Sequence, residues 1–267
     1  AGGAGNVAAN IASLGAGSQL LSFVGEDDAG RRVDSILKMA GVDRHLHVDS
    51  KSRTTEKLRI VSRNQQLLRA DFEDQPDSDL LARSVTDFKE LLSGADVVVI
   101  SDYGKGGLAN VVEMIGAAKE RGVPVVVDPK GGDFTRYWGA TVVTPNRQEF
   151  ESITGVPVDA PQFAQAAGEL VESAGLDGLL VTLGPDGMIL FLANGEVIRQ
   201  EARAREVYDV SGAGDTVVAV IAVAIGLKLD WALSLELATR GASAVVGRFG
   251  TSVVSLPDLQ NPEAGRI

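Results

Sequence analysis

From residue 77 onward, short apolar runs alternate with longer segments of helical pattern. Four runs rich in Val, Ile and Leu carry apolar side chains at consecutive positions, at 96–101, 123–128, 140–144 and 178–184. Strands of this kind are buried on both faces, which is typical of a parallel sheet covered by helices. Apolar periodicity predicts the helices at 80–92, 108–121, 147–154, 163–174, 212–226 and 231–246.

The first 76 residues have a different pattern. A helix carrying Val7, Ile11 and Leu14 on one stripe precedes a buried strand at 19–25, and a second amphipathic helix covers 28–40. Between 54 and 72 the pattern alternates, with Lys57 and Arg59 on one parity and Leu58 and Ile60 on the other. A period of two indicates a half-exposed strand. We predict a β-ribbon here, completed by a strand at 67–72, either at the edge of the sheet or as a flap over a site.

The chain shows no internal repeat, low-complexity tract or linker, so we predict a single domain over 1–267 with β-lid elements at 52–73. Residues 188–192 and 196–200 are predicted to form an antiparallel hairpin at one sheet edge.

Composition narrows the function classes. Among 267 residues, 45% are hydrophobic and 23% are charged, as in ordinary globular proteins, and there is no cysteine. Disulfides, Cys-ligated zinc, iron–sulfur clusters and thiol catalysis are therefore excluded, and the cytoplasm is the expected compartment. The net charge of −11 argues against nucleic acid or an anionic membrane as partner. No apolar run reaches the ~20 residues that a membrane-spanning helix needs.

Polar segments follow four of the predicted strands, where ligands bind in open α/β sheets. They cover 102–106, 128–131, 145–149 and 184–187. Gly, Pro, Asn and Asp in these segments are the residues that turns usually contain, but a turn explains Lys105, Lys130 and Glu149 less readily. Together the segments favour a site that handles an anion, with or without a metal.

The strongest local signal is the segment 209–216, which leads directly into an apolar helix. Free amides of a first helical turn attract anions, and Gly212 and Gly214 keep side chains away from a phosphate. We therefore predict that the amides of Gly212, Ala213 and Gly214 hold a phosphoryl group. Asp215 is then a candidate general base for an attacking hydroxyl. The alternative, a carboxylate that only stabilises the helix end, remains open.

Other motifs are weaker. The chain contains no P-loop sequence. Residues 3–8 fit the G-x-G-x-x-[GA] pattern and Glu26 follows the next strand, so a dinucleotide-binding module is the alternative function class. His45 and His47 have no third metal-ligating partner nearby in sequence, and we interpret them as exposed loop residues.

Several of these motifs together resemble those of one family. Gly2-Gly3-x-x-Asn6, the 209–216 segment, Asn146-x-x-Glu149 and residues 182–187 are similar to the signatures of the ribokinase-like (PfkB-type) carbohydrate kinases. The resemblance covers nearly the whole chain. It implies a three-layer α/β/α fold with a mostly parallel central sheet and a small β lid, and transfer of a phosphoryl group from ATP to a sugar hydroxyl.

The resemblance also implies roles for individual residues. ATP and Mg²⁺ are the expected cofactors. The motifs do not decide whether a monovalent cation is a third cofactor. Mg²⁺ is expected near Asn146 and Glu149, and the nucleotide near Asn146, Thr182, Gly184, Gly187, Gly212 and Gly214. The expected sugar contacts are Gly3, Asn6, Gln66, Asp71 and Asp102.

Three further segments, 63–73, 101–106 and 249–252, resemble the branch of the family that phosphorylates heptose 7-phosphate in ADP-heptose and lipopolysaccharide core synthesis. A phosphorylated sugar needs cations, for which Arg69, Lys105 and Lys130 are the candidates and Lys57 and Arg59 the weaker ones. Other sugar and nucleoside kinases remain alternatives. The ribbon at 54–72 suggests a homodimer paired through the lid. In the family a strand with a sugar-binding aspartate precedes the Gly-Gly signature, so we expect that contact to lie outside this sequence.

Overall fold

A computed structural model of the chain describes residues 2–62, 65–131, 133–203 and 208–260. The helices are α1 (Ala4–Ser13), α2 (Asp28–Met39), α3 (Ser78–Leu91), α4 (Val111–Glu120), α5 (Arg147–Thr154), α6 (Phe163–Ala174), α7 (Ala213–Gly226), α8 (Trp231–Val246) and α9 (Leu256–Gln260). The strands are β1 (Gln19–Gly25), β2 (Asp43–Asp49), β3 (Glu56–Ser62), β4 (Gln65–Phe72), β5 (Val98–Ser101), β6 (Val125–Asp128), β7 (Val142–Val143), β8 (Gly178–Thr182), β9 (Met188–Leu192) and β10 (Val197–Gln200).

Six strands form the central sheet, in the order β10-β9-β8-β7-β6-β5. Strands β5 to β8 are parallel, and β9 runs antiparallel to both β8 and β10. The predicted parallel sheet and its edge hairpin are therefore confirmed. Because the four parallel strands end at the same edge, the polar segments that follow them lie together.

Helices cover both faces of this sheet. Along β6, Val125 and Val127 pack into a core with α4, α5 and α6 on one face, while Val126 packs on the other face against α1, α7 and α8. Helix α7 is apolar almost all round because it is buried between the sheet and α8. The predicted three-layer α/β/α fold is confirmed. No helix in the described ranges is long and apolar enough to cross a membrane.

The first part of the chain forms a separate parallel pair, β1 with β2. Strand β2 is absent from the sequence-based prediction because polar residues occupy five of its seven positions, which conceals its period. His45 and His47 lie on this strand, so their interpretation as loop residues is wrong. His47 stacks on Phe23 with ring centroids 5.6 Å apart.

Strands β3 and β4 form a two-stranded antiparallel sheet of their own, the lid. The register places Lys57 opposite Asp71 and Arg59 opposite Arg69, so one face of the lid is charged. Side chains of the opposite parity make the other face apolar and exposed: Leu58, Ile60, Leu68 and Phe72.

Candidate active site at the carboxyl ends of the strands

The amino-terminal end of α7 presents free backbone donors. Gly212 caps the helix in the left-handed conformation, with φ of 85°. The Ala213 amide donates to the Val210 carbonyl at 3.2 Å, whereas the amides of Gly212, Gly214 and Asp215 donate to no acceptor among the described residues. Gly214 is exposed. The start of α7 therefore offers three free amides to an anion: two of the three that the sequence predicts, Gly212 and Gly214, together with Asp215, while Ala213 is already engaged.

Two side-chain donors hold Asp215 in this first turn. Asn6 Nδ2 donates to one carboxylate oxygen at 2.7 Å, and the Tyr103 hydroxyl donates to the other at 2.7 Å. Asn6 is only 2% exposed and its backbone carbonyl accepts from Asn10 Nδ2 at 2.8 Å. The geometry therefore gives Asn6 a role in holding Asp215, and its direct contact with a sugar stays a prediction.

Asp209 ties the loop before α7 to a neighbouring segment. Its carboxylate accepts from the amides of Ser211 at 2.9 Å and Gly250 at 3.1 Å. These bonds hold the pKa of Asp209 below its usual range, the Ser211 amide having the largest effect. The same loop carries Gly212, so the free amides are presented by a loop fixed at both ends.

On the nucleotide side of the predicted site, Asn146 and Glu149 form a reciprocal cap at the start of α5. The Asn146 side chain accepts from the Glu149 amide at 3.0 Å, and the Glu149 carboxylate accepts from the Asn146 amide at 3.0 Å. Lys130 Nζ lies 2.9 Å from the other oxygen of Glu149. Lys130 is therefore grouped with Asn146 and Glu149, apart from the lid cations with which the sequence grouped it.

Asp128, at the end of β6, belongs to the same acidic corner. Burial and the negative charges of Asp215 and Glu149 raise its pKa to about 8. Asp128 lies in the polar segment 128–131, in which only Lys130 is a candidate from the sequence. The position of Asp128 directly after a buried strand could have identified it as a site residue, because Asp102 and Asn146 follow their strands in the same way.

This corner fits a divalent cation that also binds a substrate phosphate. No three His, Asp or Glu side chains within the described ranges enclose a metal ion by themselves. Mg²⁺, however, keeps several waters and is commonly held by one or two carboxylates together with phosphate oxygens. The negative charges of Asp215 and Glu149 contribute to the raised pKa of Asp128, and a cation bound nearby would offset their repulsion.

The segment after β8 lies beside α5 through a bridge between Thr182 and Asn146. Thr182 donates its amide to the Pro145 carbonyl at 3.0 Å, and a short 3-10 turn covers Gly184–Asp186. Gly187 has φ of 87°, and a Cβ there would come within 2.1 Å of the Gln200 carbonyl oxygen. The structure thus gives Gly187 a packing reason for being glycine, and its contact with a nucleotide stays a prediction.

The lid and the segment after β5 bring cations together beside Tyr103. Lys57 Nζ lies 5.5 Å from the centre of the Tyr103 ring. Burial and the positive charges of Lys57 and Arg69 lower the pKa of Lys105, although Asp71 acts in the opposite direction. A bound anion would offset the repulsion among these cations, so the predicted site for a phosphate at this place stays a prediction.

Carboxylates of the lid are paired with two of these cations. Arg69 binds Asp71 through two hydrogen bonds of 2.9 and 2.6 Å, and Lys105 forms an ion pair with Glu73. Two predicted substrate residues, Arg69 and Asp71, therefore contact each other. A bound phosphate would compete with these carboxylates for the cations.

Asp102 is engaged within the protein. It is 4% exposed, and its oxygens accept from the Gly104 amide at 2.7 Å and the Tyr137 hydroxyl at 2.8 Å. Arg136 lies 3.5 Å away. These contacts fix the loop that carries Tyr103 and Lys105. Asp102 lines the cleft, and its contact with a sugar hydroxyl stays a prediction.

Some predicted residues cannot be placed. Arg63 and Asn64 of the segment 63–73 lie outside the described residues. Gln66 lies in β4 opposite Val61, but its side chain is outside the described part of the structure.

A cleft of about 1400 Å³ joins the start of α7, the lid and the segment after β5, and the residues of the acidic corner, Asp128, Asn146 and Glu149, are not part of its lining. Gly3, Tyr103, Lys105, Gly212 and Asp215 line one end of it. The cleft continues between β1 and β5, whose facing edges pair with no described strand.

Comparison with known proteins agrees with this geometry. The model of the pfkB family of carbohydrate kinases matches residues 1–259. The bifunctional protein HldE of Pseudomonas savastanoi pv. phaseolicola is 45% identical over 259 residues, which are 97% of this chain and 54% of that protein. HldE of Hydrogenovibrio crunogenus is 46% identical over 261 residues, with the same coverage. The chain thus spans about half the length of the curated relatives it matches.

Solved structures show the same fold. Phosphofructokinase-2 from Escherichia coli in complex with potassium superposes with a TM-score of 0.82 at 22% identity, covering 96% of this chain and 84% of that one. Arabidopsis thaliana ribokinase complexed with ribose and ATP superposes with a TM-score of 0.76 at 24% identity, covering 98% and 84%. The family match leaves the dinucleotide-binding alternative without support. The chain belongs to the pfkB family of carbohydrate kinases.

Proposed function

We propose that this pfkB-family kinase transfers the γ-phosphoryl group of ATP to the anomeric hydroxyl of D-glycero-β-D-manno-heptose 7-phosphate, forming the 1,7-bisphosphate for ADP-heptose synthesis. The observation that carries the proposal is the position of Asp215 in the first turn of α7, beside the free amides of Gly212 and Gly214, with its carboxylate held by two donors. The identity to HldE proteins and the resemblance of three segments to heptose 7-phosphate kinases support the choice of sugar.

Asp215 acts as the general base in this proposal. It takes the proton of the anomeric hydroxyl, whose oxygen forms a bond to the γ-phosphorus while the bond to the β-phosphate oxygen breaks and ADP leaves. The amides of Gly212, Gly214 and Asp215, at the positive end of α7, stabilise the charge on the transferring group. Positioning and electrostatics of this kind account for most of the catalysis that phosphoryl transfer needs.

Asn146, Glu149 and Asp128 would hold Mg²⁺, in part through water. When bound, the ion neutralises phosphate charge. Lys130, paired with Glu149, adds a positive charge on the same side and we assign it to the nucleotide phosphates. Thr182, Gly184 and Gly187 stay the predicted contacts to the nucleotide. A monovalent cation is proposed as a further cofactor, on the fold shared with a phosphofructokinase-2 described with potassium.

The sugar phosphate would bind under the charged face of the lid. Lys105, Arg69 and Lys57 lie close enough to perturb one another or Tyr103, so a phosphate dianion there has three cations within reach. Arg59 shares their face of the lid. Gly3, Asn6, Gln66, Asp71 and Asp102 stay the predicted contacts to the sugar hydroxyls.

Two chains would pair through the apolar face of the lid. Leu58, Ile60, Leu68 and Phe72 are 51%, 45%, 53% and 42% exposed on that face. A two-stranded sheet with one bare apolar face is rarely stable alone, so a second copy of the lid is the covering that we propose.

The proposal is tested by measuring ADP release with Mg²⁺-ATP and a panel of acceptors: heptose 7-phosphate, unphosphorylated heptose, fructose 6-phosphate, ribose and adenosine. We expect turnover with heptose 7-phosphate and little with the others. Asp215→Asn should lower kcat by at least about a hundredfold with a small change in KM. Turnover with ribose or adenosine alone would contradict the choice of sugar. Near-normal kcat in Asp215→Asn would contradict the base.

A further inference from the structure

We propose that Tyr103 is a positioning residue for the phosphoryl transfer, which holds the Asp215 carboxylate in the orientation that accepts the proton. The inference rests on the proposed function, because it takes Asp215 as the base. Tyr103 lies in the segment 101–106, which resembles the heptose 7-phosphate kinases, but no role for this tyrosine follows from the sequence pattern.

The geometry that carries this inference is a two-point clamp. The Tyr103 hydroxyl donates to Asp215 Oδ1 at 2.7 Å, while Asn6 donates to Oδ2 at 2.7 Å. A carboxylate held at only one oxygen can rotate about its last side-chain bond. Donors on both oxygens fix the plane of the group, and each oxygen keeps a second lone pair for the substrate hydroxyl.

The ring of Tyr103 is itself fixed on two sides. Gly3 has φ of 54°, and a Cβ at this position would lie 2.9 Å from Tyr103 Cε2, so the ring packs against a bare backbone. Lys57 of the lid lies over the ring at 5.5 Å from its centre. The contact with Gly3 gives a physical reason for a glycine at the second position of the Gly2-Gly3 signature, because any side chain would displace the tyrosine.

Tyr103 acts here as a donor and does not exchange its proton. Burial, and next the negative charge of Asp215, raise the pKa of the Tyr103 hydroxyl above its usual range. The phenol therefore stays protonated at any pH at which the enzyme works, and its hydrogen bond to the base is present throughout.

A positioning role predicts a specific kinetic effect. Tyr103→Phe removes one hydrogen bond to the charged Asp215 carboxylate, and this bond matters only in the step in which the proton moves. We therefore expect kcat to fall by about tenfold to a hundredfold. KM for the sugar should change less than about threefold, because the substrate does not lose a contact. If Tyr103 instead bound the sugar directly, its loss would raise KM.

The test is a double-mutant cycle in the complete enzyme, with kcat and KM measured for Tyr103→Phe, Asp215→Ala and the double variant. We expect Tyr103→Phe to lower kcat in the wild-type background and to have no further effect in Asp215→Ala, since the hydroxyl then has no carboxylate to hold. Ser234→Ala is the control, because it also removes a buried hydroxyl donor, which binds the Asp230 carbonyl at 2.7 Å in α8, outside the cleft. It should lower the melting temperature and leave kcat unchanged.

A second variant keeps the test decisive if Tyr103→Phe folds poorly. Gly3→Ala pushes the ring away and should give the same loss of kcat, whereas Gly175→Ala, at φ of 61° with no atom within 4 Å, controls for the backbone strain. A rise in KM without loss of kcat, wild-type kinetics, or an equal loss in the Asp215→Ala background would overturn the role of Tyr103. Unchanged kcat in Asp215→Ala alone would instead overturn the proposed base.

Discussion

Gly212 lies directly against the side chain of Asn6, although the two residues are 206 positions apart in sequence. A Cβ on Gly212 would come within 2.8 Å of Asn6 Nδ2, the same atom that donates to Asp215. Gly212, at the start of α7, and Asn6, in α1, therefore contact each other, and this contact positions the proposed base, Asp215.

We predict that Gly212→Ala reduces kcat by at least about tenfold, because the new methyl group displaces Asn6 and with it one donor to Asp215. It should also lose stability, since φ is 85°. Steady-state kinetics and thermal unfolding measure the two effects.

Gly15→Ala separates these effects. Gly15 has φ of 83° but no atom within 4 Å of the position of a Cβ, so the substitution carries the backbone strain alone. We expect a similar loss of melting temperature with normal kcat. An equal loss of kcat in both variants would show that the contact with Asn6 has no catalytic importance.

Asp128 should make the stability of the protein depend on pH in the absence of divalent cations. Its pKa rises from an ordinary 3.8 to about 8 on folding, owing first to burial and then to the charges of Asp215 and Glu149. Between these values the folded protein keeps a proton that the unfolded chain has released. Raising the pH through this window therefore lowers the free energy of unfolding.

Asp128→Asn removes the ionisable group and with it this loss of stability at high pH. We expect its melting temperature to match wild type near pH 4, to exceed it increasingly up to about pH 8, and to stay above it at higher pH. Adding Mg²⁺ at high pH should stabilise wild type more than the variant. The exposed carboxylate of Asp177 provides the control, since Asp177→Asn should follow the wild-type profile. Parallel profiles for Asp128→Asn and wild type would contradict the buried-acid interpretation.

The apolar face of the lid gives a prediction about assembly. Leu58→Asp places a charge in the proposed contact between two lids, so light scattering after gel filtration should show twice the chain mass for wild type and a single chain mass for the variant. Val112→Asp changes an apolar residue of α4 that is 64% exposed and should leave the mass unchanged. A wild-type protein that is monomeric at micromolar concentration would refute pairing through the lid.

The fold was largely predictable because its strands are encoded by consecutive apolar residues. Such residues are buried on both faces of a parallel sheet, so β5, β6 and β8 stand out without any knowledge of their partners. Strand β2 could not be found in this way. It pairs only with β1 and carries polar side chains, so its extended conformation is set by that pairing and not by its own pattern.

The candidate site was predictable only in part. Position after a strand identified Lys105 and Lys130 equally well, but sequence contains no information on which carboxylate each lysine meets. Tyr103 was missed for a related reason, because a tyrosine in a loop has no periodicity and its partner Asp215 is 112 positions away. Contacts of this range follow from the packing of the sheet edge and are invisible to local patterns.

The two lysines provide the last prediction, because the structure separates them into different halves of the site. Lys105 lies with Lys57 and Arg69 on the lid side, and Lys130 lies 2.9 Å from Glu149 on the nucleotide side. Lys105→Met should raise KM for heptose 7-phosphate by about tenfold to a hundredfold and leave KM for ATP near its normal value.

Lys130→Met should do the opposite and raise KM for Mg²⁺-ATP. Unphosphorylated heptose tests the role of Lys105 separately from that of Lys130. If Lys105 binds the sugar phosphate, the slow turnover of unphosphorylated heptose should be insensitive to Lys105→Met. Lys51→Met serves as the matched control, since Lys51 also pairs with a carboxylate, Asp77 at 2.7 Å, and lies outside the cleft. If Lys105→Met raised KM for ATP instead, the sugar phosphate would have to bind away from the lid cations, and the charged face of the lid would need another partner.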